Sequence, residues 1–271
     1  MKRDVSIVRT AATPSAEVDS MSVVLYPNAK INIGLRVLRR RPDGFHDIET
    51  LFWPTQVRDI LEVSKSDSLV MRRYGRRYPS DDNDLCLQAY RLLKEDFDIP
   101  PVAIDLFKNI PHGAGLGGGS ADGAFTLKAI NRLYSLGLDD ARLAVYAAKL
   151  GSDCPFFIYN EPMMGEGRGD ILKHFSAGWV SSFMGDKPKY CIRIVTPSIQ
   201  VSTAEAYRGI SPSEEGVGLY EQLSRIPIEH WRETVVNDFE KTVFAEHPEL
   251  AVEKDNLYRL LWRDYIIEDI R

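Results

Sequence analysis

Five glycines fall within the seven residues Gly113 to Gly119. They sit in the run Pro111-His112-Gly113-Ala114-Gly115-Leu116-Gly117-Gly118-Gly119-Ser120-Ala121, between a segment with strand character and one with helix character. Glycine opens backbone conformations closed to other residues, at a cost in conformational entropy. So dense a cluster describes a chain whose own amides must come close to a bulky ligand. Amides gathered at the start of a helix attract anions, and the run therefore predicts a phosphate cradle.

With 271 residues, 44% of them apolar, the chain can build one or two globular domains. A formal charge of -5 argues against a nucleic-acid surface, although Arg36 to Arg41 and Arg72 to Arg77 are locally basic. Arg72 to Arg77 reads as a solvated face. Cys86, Cys154 and Cys191 show neither disulfide nor zinc spacing and fit a reducing cytoplasm. No stretch has the length and apolarity of a membrane span, and the first twenty residues lack the apolar centre of a signal peptide. Residues 1–20 read as a loose extension, 21–177 as an N-terminal domain and 178–271 as a C-terminal one. The boundary is placed where the pattern becomes irregular, around Ala177 to Tyr190.

After Pro27 the chain alternates, with Ile31, Ile33, Leu35 and Val37 on one side and Lys30, Asn32 and Arg36 on the other. This predicts a strand with one polar face. Pro42-Asp43-Gly44 forms a turn, and Ile48, Leu51 and Phe52 continue into a second strand. Further strands are expected at 59–63, 69–73 and 102–107. A helix over 83–97 is expected to be capped by Asp81, Asp82 or Asn83. The glycine run leads into a helix with an apolar stripe from Ala121 to Leu133. Asp139 caps the next helix, which ends at Gly151. Asp153 then stands in a hinge where it can point at whatever the loop holds. Later come a strand at 192–195, a Ser202-x-x-Glu205 capping box, and helices around 231–245 and 251–262.

Two familiar nucleotide loops fail here. Gly113-x-Gly115-x-x-Gly118 matches a dinucleotide fingerprint, but a long β-rich segment precedes it, and Asp139 and Asp140 lie between helices rather than at a strand end. The spacing also mimics a Walker loop, with Gly119 where lysine is required. Positive charge must reach the phosphates from elsewhere, and Lys30 and Lys108 are the candidates.

Taken together, Pro27-x-Ala29-Lys30-Ile31-Asn32, Arg41-Pro42-Asp43-Gly44-Phe45-His46, the glycine run with Asp122, and Leu150-Gly151-Ser152-Asp153-Cys154-Pro155-Phe156-Phe157 resemble the GHMP-superfamily kinases. Gly165 to Gly169, Val201 to Glu205 and Asn237-Asp238-Phe239-Glu240 extend the likeness over roughly residues 23 to 260. Within the superfamily it points to the branch that phosphorylates 4-diphosphocytidyl-2-C-methyl-D-erythritol for non-mevalonate isoprenoid synthesis. The resemblance implies an α+β, two-domain fold, with an N-terminal domain like domain 2 of ribosomal protein S5 and a ferredoxin-like C-terminal domain. It implies ATP, carried with Mg²⁺, in the loop Pro111 to Ala121, and Asp153 as the catalytic carboxylate with Lys30 as its cationic partner. Asn32 would reach the same site, His46 would hydrogen-bond the cytosine, and Phe45 and Tyr207 would stack on it. Thr203 would help to bind the diphosphate. Metal ligands are not identified; the expected partner is a small molecule, without nucleic acid or membrane, and the chain is a monomer or homodimer in the cytoplasm.

Two departures stand out. Phe45 occupies a position that is usually tyrosine, and no glycine follows Gly218, whereas the family carries a second glycine-rich segment in its last strands. The C-terminal domain is therefore expected to lack those strands, and alternatives stay open: a nucleotide-binding protein with impaired catalysis, or a sister kinase acting on another small alcohol. Cys154 reads as a buried hydrophobe, since no base accompanies it.

Overall fold

The computed structural model describes residues 21–77, 83–184, 188, 190–199 and 201–261. The expected extension 1–20, the cap candidates Asp81 and Asp82, and the tail beyond 261 lie outside them.

Two four-stranded sheets form from the first two-thirds of the chain. One contains β1 (Ser22–Leu25), β4 (Ile60–Lys65), β6 (Val102–Lys108) and β5 (Val70–Gly75), in that order. Its pairs are antiparallel except β5 with β6. The other is an antiparallel meander of β2 (Asn28–Arg40), β3 (His46–Arg58), β7 (Met163–Glu166) and β8 (Ile171–His174). Helices α1 (Leu85–Asp96), α2 (Gly118–Leu133), α3 (Asp140–Leu150) and α4 (Cys154–Tyr159) cover them, α2 touching β1, β4 and β2. Their apolar stripes and the inner residues Leu61, Val63, Ile104 and Leu106 form the main core.

The predicted strands and helices appear with shifted ends. The cap of α1 is Asp84, whose carboxylate accepts from the Cys86 amide, rather than Asn83. Asp139 caps α3 as expected, accepting from Arg142. The supposed polar face of β2 is not solvated: Lys30 and Asn32 are as buried as Ile31 and Ile33. The reason is that both faces of the second sheet are covered. Short helices α5 (Ser181–Met184), α6 (Thr203–Tyr207) and α7 (Leu219–Arg225) follow the sheets. After a 3-10 turn, α8 (Trp231–Thr234), α9 (Phe239–Glu246) and α10 (Pro248–Leu261) complete the described chain. Leu219, Leu223, Trp231 and Val235 pack on Ile31, Ile33 and Trp53, while Phe239, Val243 and Leu250 pack on Leu35, Val37 and Ile48.

Gly34 makes this close approach possible. Its φ is +66° at an irregularity in the β2–β3 register, and a Cβ there would lie 2.8 Å from Leu219 and 2.9 Å from Val235.

Two expectations fail. Residues 192–195 form no strand beyond a bridge at Ile192; Ile192 and Ile194 pack as single side chains on the Trp53 core. Among the described residues after His174 nothing longer than an isolated bridge forms. The helix expected over 231–245 is broken at 235–238, because this backbone bonds to β2 instead. Leu35 donates to the Val236 carbonyl (3.0 Å), Asp238 donates to that of Leu35 (2.8 Å), and the Asp238 carboxylate accepts from the Val37 amide (2.7 Å).

Five arginines of the basic clusters form ion pairs. Arg36 meets Glu49, Arg39 and Arg41 share Asp47, Arg72 grips Asp105 with two nitrogens, and Arg73 holds Asp84. All of 72–77 but the partly buried Arg73 is exposed, so the segment is a solvated face, as expected, on which Arg72 and Arg73 also form ion pairs.

The capping box at α6 is complete, Ser202 and Glu205 each accepting from the other's amide. Glu205 also meets His247 at 2.8 Å, and this contact raises the imidazole pKa and lowers that of the carboxyl. Folding raises the His247 value, so its contribution is complete below the unfolded-state pKa and lost as pH rises through the folded one; for Glu205 the contribution is lost as pH falls through the carboxylate range. His247→Gln should therefore destabilise the protein in urea at about pH 6 more than at about pH 8.5. Equal destabilisation at both would contradict the pairing.

Candidate active site

The loop 111–117 bends back on itself through Gly113, Gly115 and Gly117, with φ of +72°, +69° and +67°. It delivers the chain into α2, whose first residues are Gly118-Gly119-Ser120-Ala121. Loop and helix start line a cavity of about 360 Å³, with Asn83, Asp84, Leu85, Lys108 and Asp122 on its other sides. Unbonded amides at such a terminus, together with the helix dipole, suit an anion. Gly117 is fixed by space as well as by φ: a Cβ there would stand 2.8 Å from Phe157 and 3.1 Å from the Lys30 side chain.

The expected catalytic pair comes together beside this loop. Lys30 Nζ lies 3.7 Å from Asp153 Oδ2. The Lys30 amide donates to the Leu116 carbonyl (3.0 Å), tying strand to loop. Lys30 is 2% exposed, its ammonium donating to Asn32 Oδ1 and lying 5.0 Å from the Phe52 ring centre. Asn32 in turn donates to Thr50 Oγ1 (2.9 Å), which donates to the Gly34 carbonyl (2.7 Å). Each member is aimed by the next, so the ammonium has one position. Thr50 escapes notice in the sequence, because only the β2–β3 pairing brings it to Asn32.

Asp153 precedes α4 but makes no side-chain cap bond, and its side chain is 36% exposed. It is therefore a solvent-accessible carboxylate against a buried cation, which suits acceptance of a proton from a bound alcohol. The neighbouring Cys154 thiol is pushed up to about 12 by burial, so it is no thiolate nucleophile.

Lys108 does not behave as a cation held out to phosphates. It is 5% exposed and lies between Asp59 and Asp122. Burial pulls its ammonium pKa down and the two carboxylates more than reverse this, leaving it raised.

His46 stacks on Tyr207, ring centres 4.7 Å apart, and Tyr207 packs edge-on against Phe239. The two expected recognition residues thus meet, one from β3 and one from α6. Phe45 is 56% exposed, with the Arg168 guanidinium 5.1 Å from its ring centre. His46 covers one face of Tyr207, while the start of β3 leaves Phe45 turned outward. The side chain of Thr203 lies outside the described residues. Among those residues, one group has metal-type ligands in reach of one another, Glu205, Glu246 and His247, and it belongs to the α6–α9 contact. No described helix is long and apolar enough to cross a membrane.

Known proteins are similar to this chain over most of its length. The family profile "GHMP kinases N terminal domain" matches residues 84–161. The 4-diphosphocytidyl-2-C-methyl-D-erythritol kinase of Bacteroides thetaiotaomicron is 41% identical over 242 residues, covering 88% of this chain and 85% of the relative. That of Bacillus subtilis is 33% identical over 239 residues, covering 85% and 79%. A crystal structure of 4-(cytidine 5'-diphospho)-2C-methyl-D-erythritol kinase superposes with a TM-score of 0.70 at 30% identity, over 91% of this chain and 86% of that one. With the glycine loop, the Lys30–Asp153 pair and these likenesses in hand, the chain belongs to the 4-diphosphocytidyl-2-C-methyl-D-erythritol kinase family of GHMP small-molecule kinases.

Proposed function

We propose that this chain transfers the terminal phosphoryl group of ATP to the 2-hydroxyl of 4-diphosphocytidyl-2-C-methyl-D-erythritol in the cytoplasm. The observation that carries the reading is the accessible Asp153 carboxylate held against the buried Lys30 ammonium beside the loop. In the reaction the hydroxyl oxygen attacks the γ-phosphorus, its proton passes to Asp153, and ADP leaves. Such transfer needs position and charge more than covalent help.

ATP enters as substrate with its Mg²⁺, phosphates against the amides of 111–121. Lys30 offsets negative charge gathering on the alkoxide and transferring group. Asn32 holds Lys30 and reaches the acceptor. His46 and Tyr207 take the cytosine, with Phe45 at the rim and Thr203 toward the diphosphate. Residues 21–177 act as the ATP-binding part and 178–271 as the substrate part.

The test is a coupled ADP-release assay with ATP, Mg²⁺ and the cytidyl substrate. Turnover is expected with that acceptor and not with mevalonate or homoserine. ATP binding without turnover on any of the three would instead mark a nucleotide-binding protein.

A further inference from the structure

The loop is anchored from below by a carboxylate that its own residues do not announce. Asp59, at the corner between β3 and β4, is fully buried. Its Oδ1 accepts from the amides of Asn109 (2.6 Å) and Ile110 (2.8 Å), the residues that lead into the loop. Its Oδ2 accepts from the Lys108 ammonium, which also donates to Asp122 Oδ2 (2.6 Å) on α2, just past the loop. A Cβ on Gly118 would lie 3.3 Å from Lys108 Nζ, so the ammonium sits directly under the first turn of α2. Entry and exit of the cradle are thereby fastened to one side chain through charge-assisted hydrogen bonds in a dry setting, where such bonds are strong.

Two carboxylates and one ammonium would leave a net negative charge beneath an anion site. Burial raises the Asp122 pKa well above the ordinary range, against the pull of Lys108. Asp122 Oδ1 is buried with no hydrogen-bond partner among the described residues. An arrangement costly in desolvation is here concentrated on the backbone that must meet phosphates.

We infer that Asp59, acting through Lys108 and Asp122, is a positioning residue that sets the spacing of the loop amides for the nucleotide. It touches no substrate, so its removal should be felt at ATP and not at the acceptor. The inference rests on the ATP reading of the loop. Asp59→Asn removes the charge from the bonds to Lys108 and the two amides, and should raise KM for ATP by about tenfold to a hundredfold, with KM for the cytidyl substrate within about twofold. Asp122→Asn, which leaves the Asp59–Lys108 pair intact, should give a smaller rise with the same selectivity, and it decides the matter if Asp59→Asn does not fold.

Calorimetric titration with a non-hydrolysable ATP analogue reads the same effect without turnover. If the parent protein binds the analogue but phosphorylates nothing, the functional reading fails while the positioning inference is still decided by the variants' affinities. A parallel rise in both KM values with loss of thermal stability would reduce Asp59 to a purely structural part. Unchanged analogue affinity in the folded variants would overturn the inference.

Discussion

Asp153→Asn should lower kcat by about 10²–10⁴-fold while KM for ATP stays within about threefold. The amide fills the same space but takes no proton and does not balance Lys30. The fold should scarcely notice. Asp153 makes no cap bond to α4, and Lys30 keeps Asn32 and the Phe52 ring. The loss should not exceed about 1–2 kcal/mol. Single-turnover rates together with urea unfolding check both halves. A variant that retains most of the parent kcat would remove Asp153 from the chemistry.

Gly117→Ala should damage stability and turnover together. A left-handed φ costs an alanine about 1–2 kcal/mol, and pressing a methyl into a filled core costs about 1–3 kcal/mol more. The total of about 2–5 kcal/mol is a large share of the ~5–15 kcal/mol that holds a typical domain together. Phe157 is fully buried and cannot retreat. The contact at 3.1 Å is then relieved through the Lys30 side chain, which drags the ammonium from Asp153. Gly113→Ala is the control: its φ is similarly positive, at +72°, but nothing lies within 4 Å of the added methyl. It should carry the strain alone and keep Lys30 in place. Equal kcat losses in the two variants would show that Lys30 displacement is not the cause.

Local chemistry is legible in residue order. Asp139, the Ser202–Glu205 box and the glycine run each act on neighbours within a few positions, so their roles can be read from spacing. The α1 cap slipped to Asp84 because 83 and 84 both offer a capping side chain, and tertiary contacts choose between them. Lys30 is harder. By alternation it faces water, and its burial follows only from Phe52, the glycine loop and Phe157 closing over that face of the strand. Its proposed catalytic part is legible through the resemblance alone.

Lys108 misleads for the same reason. Its charge is visible in the sequence, but the carboxylates that claim it come from a strand corner and a helix. Asp59 gives no signal, since the amides it binds are 50 and 51 positions along the chain. The break at 235–238 was hidden likewise, helical periodicity giving no hint that β2 would compete for those amides.

That break bears on how ligands come and go. Leu35–Val236, Asp238–Leu35, Ser213–Val37 and the Asp238 carboxylate on Val37 stitch the later helices to the same strand that carries Lys30. A clamshell motion between sheet and helices would have to undo all four, at roughly 2–6 kcal/mol, before any apolar surface separated. Rearranging the turn 41–45 or the loop 111–117 breaks none of them. Hinged opening is thus disfavoured relative to rearrangement of these rim segments.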